Sequence, residues 1–262
     1  MLSKARTSFI ISLQKRKFRD EYGLYIVEGD KLVREYLTAG MPVEAIYAKS
    51  EWISSMQSAI SDNIKEIVPV TYDELKRISS LTTPHNAMAL VRADYSEPTF
   101  ESLFSGYSIA LESVQDPGNM GTIIRSAAWF GIPYIICTPD SVDCFNPKVV
   151  QSTMGGLISV RVTYMDLSVL LEKAKEENIQ VFGTFPDGQS VYDHNPPEKG
   201  IILFGNESKG ISRHLEEFIS IRLSIPGGRK NETRLDSLNV AMSVSIILSE
   251  FSRKLSGLMG QG

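Results

Sequence analysis

The stretch LESVQDPGNMGTIIR, Leu111–Arg125, links a short apolar strand to a helix through a tight turn. Asp-Pro-Gly at 116–118 is a composition typical of β-turns, and Asn119 is a residue type that favours helix N-caps. Gly131 marks the expected end of the helix. Apolar residues recur between these points at helical spacing: Met120, Ile123, Ile124, Ala127 and Ala128. Arg125 lies off that stripe, so the packing of the helix does not require it.

Two further turns follow apolar strands. The segment FGNESKG, Phe204–Gly210, has two glycines that allow backbone to approach a ligand, and its Glu207 can face a helix N-terminus. The segment IPGGRKNETRLDSLN, Ile225–Asn239, runs into an apolar helix that Asp236 or Ser237 could cap. Each turn also has an ordinary structural interpretation as a capped strand-to-helix connection. No single turn is therefore decisive.

From about Ser108 onward, short apolar strands alternate with helices. The predicted strands are Ser108–Leu111, Tyr134–Cys137, Leu157–Val162, Gln180–Thr184, Ile201–Phe204 and Ile219–Ile225. The predicted helices are Met120–Phe130, Pro147–Met154, Leu167–Glu177, Ser212–Phe218 and Leu238–Leu255. This alternation favours a largely parallel sheet covered on both faces, with ligands beyond the carboxyl ends of the strands. The turns after Leu111, Phe204 and Ile225 all lie at such ends.

The residues before this region predict a smaller α/β unit. Its expected helices are Thr7–Arg19, Lys31–Ala39 and a short one from about Thr71, and its expected strands are Leu24–Val27, Ala45–Ala48, Glu66–Val70 and Ala87–Val91. Ser96, Pro98 and Gly106 lie in a stretch typical of linkers. We therefore predict two domains, residues 1–95 and 108–262, joined by a linker at 96–107.

Charge is distributed unevenly along this chain of 262 residues and net charge −4. Only Asp20 opposes the basic residues of the first twenty positions, which are Lys4, Arg6, Lys15, Arg16, Lys17 and Arg19. Such a cluster is either a face for an RNA backbone or a solvated helix face.

Composition excludes several other classes. The two cysteines and three histidines have neither disulfide nor metal-site spacing. The apolar runs are too short for a membrane span, and the basic start does not fit a secretory signal, so we expect a cytoplasmic protein.

The three turns, in this order, resemble the motifs of the SpoU/TrmH-type ribose methyltransferases of the SPOUT superfamily. The matching patterns are Asn119-x-Gly121-x-x-x-Arg125, Phe204-Gly205-x-Glu207-x-x-Gly210, and Ile225-Pro226 followed by Ser237-Leu238-Asn239-Val240. Upstream, Arg16–Arg19, Gly23–Gly29 and Thr83–Ala89 are similar to the ribosomal-protein-like substrate-binding domain that many members carry.

The resemblance implies a C-terminal α/β domain with a deep trefoil knot, preceded by a small α/β RNA-binding domain. It implies S-adenosylmethionine (AdoMet) as methyl donor, held mainly by backbone at Gly205, Ile225 and Leu238, with Thr184 near the adenosine. It also implies a homodimer whose sites are completed across the interface, and a reaction that needs no metal. The basic residues Arg16, Lys17 and Arg19 would contact RNA.

Arg125 matches the family's key arginine, and Asn119, Glu207, Ser237 and Asn239 would orient it and the nucleotide. The family's arginine is usually assigned to activating the ribose hydroxyl. Because a guanidinium stays protonated, Arg125 could instead grip the adjacent phosphate and lower the pKa of the hydroxyl, with phosphate or solvent taking the proton.

The third motif departs from the family pattern. Gly227 stands where methionine is common, and the loop Gly227–Asp236 is longer and contains Arg229, Lys230 and Arg234. The favoured substrate is ribosomal RNA, with transfer RNA second. The alternatives are a non-catalytic RNA- or ribosome-binding protein on the same scaffold, and a methyltransferase acting on a base nitrogen.

Overall fold

A computed structural model describes residues 2–56, 64–227 and 237–259. The chain divides into two compact units. The first contains the residues up to Tyr95 together with Asp143–Ile158, and the second contains Ser96–Val142 and the residues from Ser159 onward. The segment 143–158, which the sequence placed in the C-terminal domain, thus belongs to the first unit. Within these described ranges, no helix is long and apolar enough to cross a membrane.

The first unit is a four-stranded sheet with helices on both faces, as far as its residues are described. Its strands are β1 (Leu24–Glu28), β2 (Val43–Ala48), β3 (Ile67–Pro69) and β4 (Ala87–Arg92), in the order β1-β4-β2-β3. Its helices are α1 (Lys4–Ser12), α2 (Arg16–Tyr22), α3 (Asp30–Thr38), α4 (Ser50–Ser55), α5 (Tyr72–Ile78) and α8 (Pro147–Thr153). Strand β4 runs antiparallel to both neighbours, and β2 and β3 are parallel.

Alternating side chains of β1 build the two layers of this unit. Tyr25 and Val27 join the core that includes Val150 of α8, whereas Leu24 and Ile26 join the core on the other face. A strand that is buried on both faces is continuously apolar, which explains the pattern LYIV at 24–27. The segment 143–158 completes the first layer, since Phe145 stacks on Tyr25 with ring centroids 4.5 Å apart.

The single basic helix predicted over Thr7–Arg19 is wrong, because the chain forms α1 and α2 with a break between them. Leu13 caps the C-terminus of α1 and is fully buried. Its carbonyl accepts a hydrogen bond from Arg19 Nη1 at 2.8 Å, which holds the turn in place. Gly23 then ends α2 at φ 62°, a conformation that favours glycine.

The second unit has a parallel sheet in the order β10-β8-β9-β5-β6-β7, within the described ranges. The strands are β5 (Tyr107–Leu111), β6 (Tyr134–Cys137), β7 (Arg161–Tyr164), β8 (Val181–Ser190), β9 (Gly200–Phe204) and β10 (Ile221–Ser224). The helices are α6 (Phe100–Leu103), α7 (Pro117–Trp129), α9 (Leu167–Glu176), α10 (Arg213–Glu216) and α11 (Val240–Met259). All five pairings between these strands are parallel. The predicted α/β class is confirmed.

Both faces of this sheet are covered. Leu103 of α6 and Leu170 of α9 pack in one core with strand residues that include Ala110 and Leu203. On the other face Phe182 of β8 meets Phe251 of α11 edge to face, with centroids 5.5 Å apart.

Two predicted segments differ in the structure. Residues 96–107, expected as a linker, contain α6, whose Leu103 is buried in the core of the second unit. The predicted strand Leu157–Val162 is a 3₁₀ turn at Gly156–Ile158 followed by β7. The trefoil knot implied by the resemblance stays a prediction.

Candidate active site

The turns after β5 and β9 lie side by side at the carboxyl edge of the parallel sheet. Leu111 is in register with Phe204, and the Glu112 amide donates to the Phe204 carbonyl at 2.9 Å. Asn206 then ties the turns together, because its Nδ2 donates to the Ser113 carbonyl at 2.9 Å. The first two sequence motifs therefore meet at the place where the fold class predicts a ligand.

The turn at 205–210 is closed tightly on itself. Asn206 and Gly210 exchange backbone hydrogen bonds of 3.0 and 2.9 Å. A Cβ on Gly205 would lie 2.1 Å from the carbonyl carbon of Gly210 and 2.2 Å from the amide nitrogen of Ile211. Glycine is thus required at 205 by the chain's own backbone, whereas the sequence had suggested approach to a ligand as the reason.

Asp116 starts α7, which corrects the expectation that Asn119 is the cap. The Asp116 Oδ1 atom accepts a hydrogen bond from the Asn119 amide at 2.8 Å, and Pro117 occupies the first helical position, where its missing N–H costs nothing. Asn119 therefore lies inside the first turn of α7. Its side chain does not cap the helix and instead bonds to Glu207 and Asn239.

Asn239, and not Ser237, caps α11. Its Oδ1 accepts hydrogen bonds from the amides of Ala241 at 2.9 Å and Met242 at 3.3 Å. Asp236, the other expected cap, lies outside the described residues, as do Arg229, Lys230 and Arg234. The side chains of Ser237 and Leu238 are exposed.

A chain of amide hydrogen bonds connects all three motifs. Asn239 Nδ2 donates to Asn119 Oδ1 at 2.9 Å, and Asn119 Nδ2 donates to Glu207 Oε1. The orientation of both amides is determined, because capping uses the oxygen of Asn239 and the carboxylate of Glu207 can only accept. We call these three residues the amide relay. They are brought together from positions 119, 207 and 239, as the motifs implied.

Arg125 lies on the solvent face of α7. Its side chain is exposed, and it makes no hydrogen bond or ion pair with any described residue. The same exposed stripe of the helix contains Thr122 and Trp129, at the spacing of one helical turn. A guanidinium on the exposed face of a helix, with no partner among the described residues, is available to an external anion.

Ser113 fixes the first turn and was missed by sequence reasoning. It has φ 54°, and its Oγ donates to Asp140 Oδ2 at 2.6 Å. Hydrogen bonds from the hydroxyls of Ser113 and Thr138 hold the pKa of Asp140 below its usual value. Sequence reasoning also missed Asn206. Its Oδ1 accepts hydrogen bonds from the amides of Ser208 and Lys209, and asparagine is a residue type that commonly forms such turns.

The predicted donor-binding residues are distributed along the same edge. Thr184 directly follows Gly183, which is in register with Leu203 of β9, so Thr184 lies beside the start of the second motif. Ile225 follows β10 and is half-buried, and Leu238 exposes 51% of its surface despite being apolar.

The three predicted RNA-binding residues have different environments. Lys17 is exposed with its Nζ 5.9 Å from the ring centre of Phe18, and Arg16 is exposed and paired with Asp20 at 3.6 Å. Arg19 is only 2% exposed, and its Nε lies 2.9 Å from Asp143 Oδ2. A guanidinium buried in an ion pair cannot reach a phosphate, so the expectation for Arg19 is corrected to a structural role.

Comparison with known proteins agrees with this arrangement. Residues 106–249 match the SpoU rRNA methylase family, which covers more than half of the chain. The chain belongs to the SpoU rRNA methylase family. Residues 6–89 match the MRM3-like substrate-binding domain. The resemblance drawn from the three motifs is confirmed, and with it the expectation of a methyltransferase.

Relatives of this SpoU protein include the 23S rRNA (guanosine(2553)-2′-O)-methyltransferase RlmP of Bacillus subtilis, which is 27% identical over 90% of this chain and 91% of its own length. A structure from Porphyromonas gingivalis, assigned to the TrmH family of RNA methyltransferases, superposes with a TM-score of 0.87 at 35% identity, covering 97% and 99% of the two chains. An AdoMet-bound rRNA methyltransferase from Sinorhizobium meliloti superposes with a TM-score of 0.82 at 25% identity, covering 97% of each chain.

Proposed function

We propose that this SpoU protein transfers a methyl group from AdoMet to a ribose 2′-hydroxyl of ribosomal RNA. The observation that carries the proposal is the amide relay, which joins the three family motifs at the carboxyl edge of the parallel sheet. The 2′-O-methyltransferase RlmP and the AdoMet-bound relative support the reaction and the donor.

The residues at this edge fit AdoMet in chemistry. Leu238 presents apolar surface to solvent, and a Cβ on Gly227 would meet no described atom within 4 Å, so the described residues leave open space at Gly227, two residues after Ile225. An apolar lining suits an adenine ring, and AdoMet carries no phosphate that would demand a cluster of cations. We propose that Gly205, Ile225, Leu238 and Thr184 border the donor, which supplies an electrophilic methyl group when bound.

Arg125 is the proposed catalytic residue. Its guanidinium binds the phosphate next to the target ribose and lowers the pKa of the 2′-hydroxyl, while phosphate or solvent takes the proton. The amide relay fixes the position of helix α7, on which Arg125 lies, against the other two motifs. Ser237 and the relay residues orient the nucleotide.

The first unit is the proposed RNA-docking module. Arg16 and Lys17 present exposed cations that fit a phosphate backbone. Arg19 is left out of this surface because it is buried. Ribosomal RNA is favoured as substrate because of the named activity of the relatives, and we propose a cytoplasmic location because the relative RlmP is a bacterial rRNA methyltransferase.

A homodimer is proposed from the exposed apolar surface of α7 and α11. Trp129 is 84% exposed and Met242 56% exposed. Nearby, a shallow groove of about 410 Å³ is lined by Phe130, Tyr192, Met242, Ser245, Ile246, Ser249 and Glu250. Apolar surface of this kind on a folded unit is typical of an interface. Burying Trp129 in such an interface would place Arg125, on the same stripe, at or near the interface.

The test is methyl transfer in vitro. Purified protein, labelled AdoMet and unmodified ribosomal RNA are incubated, and the RNA is digested to nucleosides for mass spectrometry. We expect one 2′-O-methylated nucleoside in stoichiometric yield. Arg213 of α10 is exposed and has no described partner, so Arg213→Ala serves as the matched control for Arg125→Ala. Methylation of a base, or of no RNA at all with AdoMet bound, would contradict the proposal.

A further inference from the structure

Strand β8 leaves its pairing with β10 for five residues at the carboxyl edge of the sheet. Arg222 of β10 is in register with Gly183, but the next residue, Leu223, is in register with Gln189. The intervening residues, 184–188, form what we call the excursion. Its first residue is Thr184, so the excursion starts beside the second motif, where ligands of parallel sheets bind.

The far end of the excursion is fastened to β10. Ser224 Oγ donates to the Gly188 carbonyl at 2.7 Å. A Cβ on Gly188 would lie 2.6 Å from the carbonyl carbon of Leu223, so the two backbones are in close contact there. This end is therefore fixed by backbone packing that only glycine allows.

Arg222 contacts the middle of the excursion, where Phe185 also packs against the core of the second unit. Its guanidinium carbon lies 3.4 Å from the ring centre of Phe185, and its Nη2 lies 2.9 Å from Asp187 Oδ1. Its Nη1 lies 2.9 Å from Glu216 Oε2 of α10. The planar guanidinium thus stacks on Phe185 and pairs with Asp187, both in the excursion, while its other nitrogen pairs with helix α10.

Phe185 connects Arg222 to strand β8. The Phe185 ring packs against Gly183, since a Cβ on Gly183 would lie 2.7 Å from Phe185 Cε2. The same ring stacks with the guanidinium of Arg222. Exposed ion pairs are individually weak. The stack on Phe185 and the pair with Asp187 restrict the excursion, and the pair with Glu216 anchors the guanidinium to α10. Ordering a segment in advance lowers the entropic cost of binding a ligand against it.

We infer that Arg222 is a positioning residue for the methyl donor: it holds the excursion so that Thr184 is in place before AdoMet binds. The inference rests on the proposed function, which locates the donor beside Thr184. Arg222 itself acts through the excursion and does not take part in methyl transfer.

The test measures AdoMet binding to the full-length protein by calorimetry. For Arg222→Ala we expect a Kd raised ~5- to 10-fold, since the binding must then order the excursion. Arg222→Lys keeps the charge but loses the fork and the stack, so a rise of ~2- to 4-fold is expected. Arg213→Ala should leave the Kd unchanged. In steady-state assays the KM for AdoMet should follow the Kd, and kcat at saturating AdoMet should stay within ~2-fold.

The outcomes separate this inference from the proposed function. A parent protein that does not bind AdoMet would overturn both. A parent that binds, with Arg222→Ala binding equally well, would overturn the inference alone. A lower thermal midpoint with an unchanged Kd would show a merely structural role and would also overturn it. If Arg222→Ala does not fold, Arg222→Lys and Asp187→Asn carry the same comparison.

Discussion

Replacing Asn239 with aspartate is expected to break the amide relay while keeping the cap of α11. The new carboxylate still accepts the hydrogen bonds from the amides of Ala241 and Met242, and a negative charge suits a helix N-terminus. The cap is therefore kept. Nδ2, however, is replaced by an acceptor that faces Asn119 Oδ1. Asn119 can turn its amide over, but its oxygen then faces the carboxylate of Glu207.

One link of the relay is lost in either orientation. The net loss is one neutral amide–amide hydrogen bond, ~0.5–1.5 kcal/mol, and two acceptors then face each other in its place, so we expect a cost of ~1–2 kcal/mol. If the relay positions α7 for the reaction, kcat should fall ~5- to 30-fold. Because the cap is preserved, the thermal midpoint should fall by no more than the ~2–8 °C that the lost link accounts for.

A second substitution provides the control. In Asn239→Asp with Glu207→Gln, the new glutamine can donate to Asn119 and Asn119 can donate to the new aspartate, so the relay is complete in the reverse direction with the same net charge. Single-turnover methyl transfer at saturating AdoMet should recover to within ~3-fold of the parent. Full activity of Asn239→Asp, or a double variant no more active than the single one, would refute a role of the amide relay in catalysis.

Three further predictions concern stability and the donor site. Asp143→Asn leaves buried Arg19 unpaired, which costs ~3 kcal/mol, so calorimetry should show a thermal midpoint lowered by ~6–12 °C; a drop under ~2 °C would contradict this. The pKa of Glu250 is lowered to about 2 by hydrogen bonds and charges from Arg253 and Lys254, so its stabilisation is present above its unfolded value of 4.5 and disappears as pH falls through 2. The thermal midpoint of Glu250→Gln should therefore lie below that of the parent at pH ~7 and match it near pH ~2. Equal midpoints of the two proteins at pH ~7 as well would count against a stabilising role of Glu250. Gly205→Ala places a Cβ 2.1 Å from Gly210, and calorimetry should show AdoMet affinity reduced more than ~10-fold; unchanged affinity would show that the turn does not shape the site.

Local patterns predicted the catalytic half of the fold well. Parallel strands that are buried on both faces are continuously apolar, so they are visible in the sequence, and the turns after Leu111 and Phe204 were expected at one edge. The structure confirms this class of fold and brings the three motifs together. Helix ends were less certain, because Asp116 and Asn119 are both good caps, as are Asp236, Ser237 and Asn239.

Long-range pairing was not predictable from the sequence. Arg19 belongs to a basic cluster in the sequence, but its partner Asp143 lies 124 positions away, and only the folded chain shows that the pair is buried. In the same way, periodicity predicted an apolar helix near 147–154 but not which core it joins. The register break in β8 was also hidden, since β10 pairs with it on both sides of the excursion.

The central claim is that Arg125, on helix α7 and positioned by the amide relay, promotes methylation of a ribose in ribosomal RNA. The most direct measurement is ribose-methylation mapping of total RNA from cells with and without the gene. We expect one 2′-O-methyl mark in ribosomal RNA to disappear on deletion, to return with the parent gene and with Arg213→Ala, and to stay absent with Arg125→Ala. An unchanged map after deletion, or full restoration of the mark by Arg125→Ala, would contradict it.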